Sequence, residues 1–178
     1  MDLQDSHFAL FGLSERYPQD VAALDRAYRD VQTRVHPDRF AGGGAAEQRV
    51  ALQWATRVNE AYRVLRDPLQ RARYLCVLRG RDPADEHDTA MSPTFLMQQL
   101  DWREALDAAR AAVDPTAIEA LRMQIGAALT TLEDEVEQTL DSPDGTAIAV
   151  ERVRQWMFVE RFAEDVLAAE QRASAPNR

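Results

Sequence analysis

The feature that most constrains this chain is the spacing of its apolar residues, which recur every three or four positions. In residues 20–35 the apolar positions follow one another in steps of three and four, at Val21, Leu24, Tyr28, Val31 and Val35. Such steps place side chains on one face of an α-helix. No segment shows the sustained alternation that is typical of a β-strand. We therefore predict an all-α protein.

Proline residues mark where these helices begin and end. Pro37 disfavours helix in the residue before it, so the helix over 20–35 ends there. Pro68, Pro93 and Pro115 each follow an Asp or a Ser, the order in which a helix cap precedes the first helical residue. Further helices are predicted over about 45–66, 68–79, 116–140 and 146–170, with one more beginning at residue 93.

The polar stretch 81–90 has no helical periodicity and divides the helices into two groups. We predict a first domain over 1–79, in which two antiparallel helices are flanked by short helices, and a linker over 80–90. A three-helix bundle over 91–171 and a disordered tail over 172–178 complete the expected organisation.

Charge and composition narrow the classes of partner. The chain has a net charge of −9, and residues 79–178 hold 20 acidic residues against 10 arginines. That half would repel a phosphate backbone, so no nucleic-acid binding is expected.

No apolar run approaches the ~18 residues of a membrane-spanning helix, and the acidic start does not resemble a signal peptide. The single cysteine, Cys76, excludes an internal disulfide and a four-cysteine zinc site. We expect a soluble protein in a reducing compartment, without a metal or cofactor.

The loop between the two long helices of the first domain reads His36-Pro37-Asp38-Arg39-Phe40. A His beside an Asp could serve acid–base chemistry, but no nucleophile or metal cluster accompanies them, and we predict no enzymatic activity. An ordinary turn that ends a helix is the other simple interpretation. On the preceding helix three arginines point away from the apolar stripe, where they could steer an acidic partner or merely face solvent: Arg26, Arg29 and Arg34.

The context of this tripeptide is more specific than the tripeptide alone. Residues 6–78 resemble a J-domain, the module that stimulates ATP hydrolysis by 70-kDa heat-shock chaperones, in HPDRF and in the segment NEAYRVLRDPLQRARY at 59–74. The resemblance implies that Asp38 offers its carboxylate to an arginine of the chaperone. It also implies that the chaperone-binding residues are His36, Pro37, Asp38 and Arg39, with Arg26, Arg29 and Arg34 on the helix.

The segment FLMQQLDWREALD at 95–107 begins the second domain with two apolar faces. At 100° per residue, one face forms a core stripe made of Phe95, Trp102, Leu106, Ala109 and Val113. The other face lies about 100–160° away and contains Leu96, Met97 and Leu100. A small bundle cannot easily bury both faces, so the second face is predicted to be an exposed partner site. The alternative is that these three residues dock against the first domain or a loop.

Together with the opening HFALFGL and the order of the domains, this segment is similar to the HscB family, the J-domain co-chaperones of iron–sulfur cluster assembly. The resemblance covers nearly the whole chain. It implies a bacterial cytoplasmic protein that stimulates an HscA-type chaperone and binds an IscU-type scaffold. The implied scaffold-binding residues are Leu96, Met97, Leu100, Asp101, Glu104 and Phe158. A further acidic position of the family falls on Ala108 here, which shortens the acidic rim.

Two alternatives to this function stay open. A J-domain protein that serves another client would keep the role of the loop and lose the scaffold. A metal or cluster carrier is the other class of protein, against which the single cysteine argues.

Overall fold

The computed structural model describes residues 2, 4–40, 42–85 and 91–174, and within these ranges the chain is helical and without strands. The helices are α1 (His7–Leu10), α2 (Val21–Val35), a 3-10 helix (Pro37–Phe40), α3 (Ala45–Arg66), α4 (Pro68–Leu78), α5 (Pro93–Ala112), α6 (Pro115–Leu140) and α7 (Thr146–Ser174). The predicted all-α class is confirmed. The chain divides into two compact units, with the boundary between Leu78 and Arg79.

The first unit is built on the hairpin of α2 and α3. The Tyr62 hydroxyl donates to Asp25 Oδ1 at 2.8 Å, and the Tyr28 hydroxyl donates to Asn59 Oδ1 at 2.9 Å. Residues later in α2 therefore meet residues earlier in α3, which makes the two helices antiparallel. The Asp20 side chain caps α2 by accepting from the Ala22 N–H at 2.9 Å.

The short helices α1 and α4 close the core of the first unit. Phe8 and Cys76 are fully buried. The imidazole of His7 is also buried and stacks on Tyr74, with ring centroids 4.1 Å apart. Because burial disfavours the charged form, the pKa of His7 falls to about 4. The core therefore contains a histidine that is neutral at physiological pH.

The first turns of α3 are less covered than its sequence pattern predicts. In the sequence of α3 the helical spacing of Leu52, Ala55, Val58, Tyr62 and Leu65 predicts one apolar face. Yet 59% of Leu52 is exposed, while the neighbouring Ala51 is buried. The expectation that Leu52 lies in the core was wrong. The physical reason is helical phase, because at 100° per residue Leu52 lies about 120° around α3 from the buried Val58, whereas Ala51 lies within about 20° of it.

The second unit contains the three helices α5, α6 and α7. Arg152 on α7 pairs with Glu135 on α6 at 2.7 Å, and Arg122 earlier in α6 lies 3.6 Å from Glu170 later in α7. These pairs show that α6 and α7 are antiparallel. Aromatic contacts join α5 to α7: Phe95 contacts Phe158, and Trp102, later in α5, contacts Phe162, later in α7. These two helices are therefore parallel. The helices run up-down-up, and the predicted three-helix bundle is confirmed.

Residues 79–85 are attached to the second unit. The Arg79 guanidinium donates to the Leu140 carbonyl and to Asp141 Oδ1, the latter at 3.0 Å. Arg154 Nε donates to the Pro83 carbonyl at 3.1 Å. The first half of the expected linker 80–90 therefore has fixed contacts, and residues 86–90 lie outside the described residues.

Two ends of helices differ from the sequence expectations. Val113 was expected in the core stripe of α5, but it caps the helix with φ 49°, and 69% of it is exposed. The left-handed backbone of Val113 turns the chain just before Asp114, which caps α6. The Val113 side chain therefore lies outside the core stripe of α5. At the other end of the unit, α7 continues to Ser174. Residues 172–174, assigned to a disordered tail, are helical because the first helix breaker is Pro176, and residues 175–178 lie outside the described range.

Candidate functional site

The loop between α2 and α3 is held by hydrogen bonds within itself. His36 ends α2 with extended backbone angles, φ −59° and ψ 129°, as the following proline requires. The Arg39 N–H donates to the His36 carbonyl at 3.1 Å. The Asp38 N–H donates to His36 Nδ1 at 3.3 Å, so the imidazole ring is oriented by the loop that carries it. For Pro37 the structure describes the backbone in the 3-10 helix and not the side chain.

The charged groups of the loop face solvent. The Asp38 side chain is 90% exposed, with Oδ2 3.6 Å from His36 Nδ1. Arg39 Nη1 donates to the Thr33 carbonyl at 3.2 Å, which ties the loop back to α2. The loop thus presents a carboxylate on a locally fixed backbone, an arrangement suited to pairing with a cationic side chain of a partner.

The three arginines of α2 are exposed, as expected. Arg34 lies two residues before His36, and its Nε donates to the Asp30 carbonyl at 3.3 Å. Arg26 lies near the other end of α2, 3.7 Å from Asp20. At 1.5 Å per residue the two are about 12 Å apart. Arg34 and Arg39 therefore flank the loop, whereas Arg26 and Arg29 extend the positive face along the helix.

The outer face of α5 carries the predicted apolar side chains. Leu96, Met97 and Leu100 are 51%, 60% and 48% exposed, while Phe95 and Trp102 on the opposite face are buried. The prediction that one face of this helix stays exposed is confirmed. Asp101 and Glu104 are exposed on the same helix and form the acidic rim, and Ala108, also exposed, adds no charge to it.

Phe158 on α7 borders this face and is half-buried. Its ring meets Phe95 edge-on with centroids 5.9 Å apart, and the Arg103 guanidinium lies 5.7 Å above the ring centroid. Arg103 follows Leu96 by two helical turns, so Phe158 lies on the Leu96 side of α5. Sequence reasoning missed Arg103, although its spacing from Leu96 was a usable signal.

None of the helices in the described ranges is both long enough and apolar enough to cross a membrane. The same residues contain no group of three or more His, Cys, Asp or Glu side chains arranged to hold a metal ion.

Comparison with known proteins covers both units. Residues 91–167 match the family model of the HSCB C-terminal oligomerisation domain. The co-chaperone protein HscB homologue of Paraburkholderia phymatum is 54% identical over 171 residues, which cover 92% of this chain and 93% of the relative. The homologue of Bordetella pertussis is 50% identical over 166 residues, 93% of this chain and 96% of that protein.

Solved structures agree with these relatives. The chaperone HscB from Vibrio cholerae superimposes with a TM-score of 0.81 at 30% identity, over 95% of this chain and 99% of that one. The human co-chaperone protein HscB has the same fold, with a TM-score of 0.83 at 24% identity over 94% of this chain and 83% of that one. The first unit is thus a J-domain, followed by a C-terminal helical domain, and the chain belongs to the HscB family of co-chaperones.

Proposed function

We propose that this protein stimulates the ATPase of an HscA-type 70-kDa chaperone and delivers an IscU-type iron–sulfur scaffold to it. The chain itself catalyses no reaction. The observation that carries the proposal is the presence, in one chain, of an exposed charged loop on the J-domain and an exposed apolar face on the C-terminal domain. The curated relatives named above are bacterial, which supports a bacterial origin, and we propose the cytoplasm as the compartment.

The chaperone side of the proposal rests on the charges around the loop. The exposed Asp38 carboxylate pairs with a guanidinium of the chaperone, because charge-assisted hydrogen bonds are stronger than neutral ones. His36 and Pro37 fix the backbone that presents this carboxylate. The outward Arg26, Arg29 and Arg34, with Arg39, attract an acidic surface and raise the rate of encounter.

The scaffold side rests on the α5 face. Leu96, Met97 and Leu100 supply apolar area that loses contact with water when the scaffold binds. Asp101 and Glu104 form a rim that favours a basic scaffold surface, and Phe158 with Arg103 closes one edge. Apolar anchors inside a polar rim are typical of protein interfaces.

The proposal is tested by single-turnover ATP hydrolysis of an HscA-type chaperone titrated with this protein. The wild type should accelerate hydrolysis, and Asp38→Asn should abolish the acceleration. Asp30→Asn is the matched control, since it removes the same charge from an exposed position on α2 and should not reduce the stimulation. Full stimulation by Asp38→Asn would refute the role of the loop. Stimulation by a protein that fails to bind the scaffold would instead indicate another client.

A further inference from the structure

An open apolar groove lies beside the loop of the J-domain. It has a volume of about 580 Å³ and runs between the end of α2, the 3-10 helix and the first half of α3. Its apolar lining consists of Val35, Phe40, Ala46, Val50, Ala51 and Trp54. Val50 is 50% exposed, and the Trp54 and Phe40 side chains are half-buried. The groove exists because α3 extends beyond the residues that α2 can cover.

The groove is continuous with the proposed chaperone-binding loop. Arg34 and Val35 line it and immediately precede His36, and Phe40 lines it directly after Arg39. A partner that engages His36 and Asp38 therefore lies next to the mouth of the groove. Filling it would remove apolar surface of both molecules from water, which favours binding.

The charges at the groove indicate the chemistry of its occupant. Arg34 lies on the α2 side and favours a carboxylate, while Glu47 lies on the α3 side. An apolar side chain with an acidic neighbour satisfies both the lining and Arg34.

We propose that the groove receives an apolar side chain of the same 70-kDa chaperone that engages the loop, with an adjacent carboxylate paired to Arg34. This inference rests on the proposed function and adds an apolar anchor to a contact otherwise made of charges. The groove sets how tightly the chaperone is held, whereas Asp38 sets whether hydrolysis is accelerated.

The first test compares Val50→Ser with Leu52→Ser in the titration of chaperone ATPase. Leu52 is 59% exposed on the same helix and does not line the groove, so it is the matched control. Val50→Ser should raise the half-maximal concentration by about 5–10-fold, the loss typical of a truncated interface anchor, with maximal stimulation unchanged. Leu52→Ser should stay within about twofold, as a residue outside the contact does. Equal half-maximal concentrations for the two variants would overturn the proposal while leaving the proposed function intact. Absence of stimulation by the wild type would refute the proposed function itself.

The second test observes the groove directly. The chain has three tryptophans, of which Trp102 and Trp156 are buried in the second unit. Replacing all three with 5-fluorotryptophan gives ¹⁹F signals, and Trp54→Phe assigns that of the groove. Addition of the chaperone should shift the Trp54 signal and leave the other two in place. An unchanged Trp54 signal under saturating chaperone would contradict the inference. A shift produced by raising the concentration of this protein alone would show that a second copy fills the groove instead.

Discussion

Replacing Leu96 and Met97 with alanine separates interface residues from core residues. About half of each side chain already faces solvent. Truncation of buried Leu or Met costs about 2–5 kcal/mol, whereas changes at exposed positions usually fall within about 0.5 kcal/mol. We therefore expect the double variant to lose less than about 1 kcal/mol of unfolding free energy.

Scaffold binding should respond very differently. Truncated anchors at an interface core cost about 2 kcal/mol each, so the double variant should bind the scaffold about 10³-fold more weakly. Isothermal titration calorimetry against the scaffold measures this loss, and urea unfolding measures stability on the same samples. The matched control is Met123→Ala with Leu167→Ala, a Met–Leu pair of similar exposure, 62% and 49%, elsewhere on the bundle.

Scaffold affinity that matches that of the control variant would refute the assignment of the α5 face. A large loss of stability would refute the argument from exposure. Phe158 is better tested separately, because its ring contacts Phe95, Phe162 and Arg103. Phe158→Ala should weaken scaffold binding and also reduce stability, so it cannot separate the two effects alone.

Three further predictions concern stability. Asp38→Asn should leave the melting temperature nearly unchanged in calorimetry, because the carboxylate is 90% exposed; a drop of several degrees would indicate a structural role. The pKa of His7 is 6.5 in the unfolded state and about 4 in the folded state. Between these values the unfolded state binds a proton and the folded state does not. Unfolding free energy should thus fall by about 2 kcal/mol between pH 7.5 and 5, and a His7→Phe variant with the same decline would contradict this cause. Val113→Gly relieves a left-handed β-branched residue and should raise the urea-unfolding free energy by about 0.5–1 kcal/mol, whereas Ala112→Gly inside α5 should lower it.

The sequence predicted the features that follow from local rules. Periodicity and the proline caps located the long helices within a few residues, since each rule depends only on neighbours along the chain. The helical wheel of α5 separated Phe95 and Trp102 from Leu96 and Met97 for the same reason. Both the loop motif and the order of the domains were visible before any packing was known.

Features that depend on packing between helices were not visible in the sequence. Leu52 continues the apolar spacing of α3 but is exposed, because the packing buries the face of the neighbouring Ala51 instead. Val113 fits the stripe of α5 but is diverted by its left-handed backbone. The groove beside the loop needs residues from different helices, so no pattern along one segment reveals it. The spacing of Arg103 from Leu96 indicated its face of α5, but the Phe158 ring beneath the guanidinium comes from α7.

The central claim is that one chain uses two separate surfaces, the loop for the chaperone and the α5 face for the scaffold. Single-turnover ATP hydrolysis by the chaperone, measured with and without scaffold, tests it most directly. We expect the Leu96→Ala, Met97→Ala double variant to keep the stimulation seen without scaffold and to lose the additional stimulation that scaffold provides. Asp38→Asn should lose both while still binding the scaffold with wild-type affinity. A double variant that keeps the full scaffold-dependent stimulation, or an Asp38→Asn variant that retains either kind of stimulation, would contradict the account.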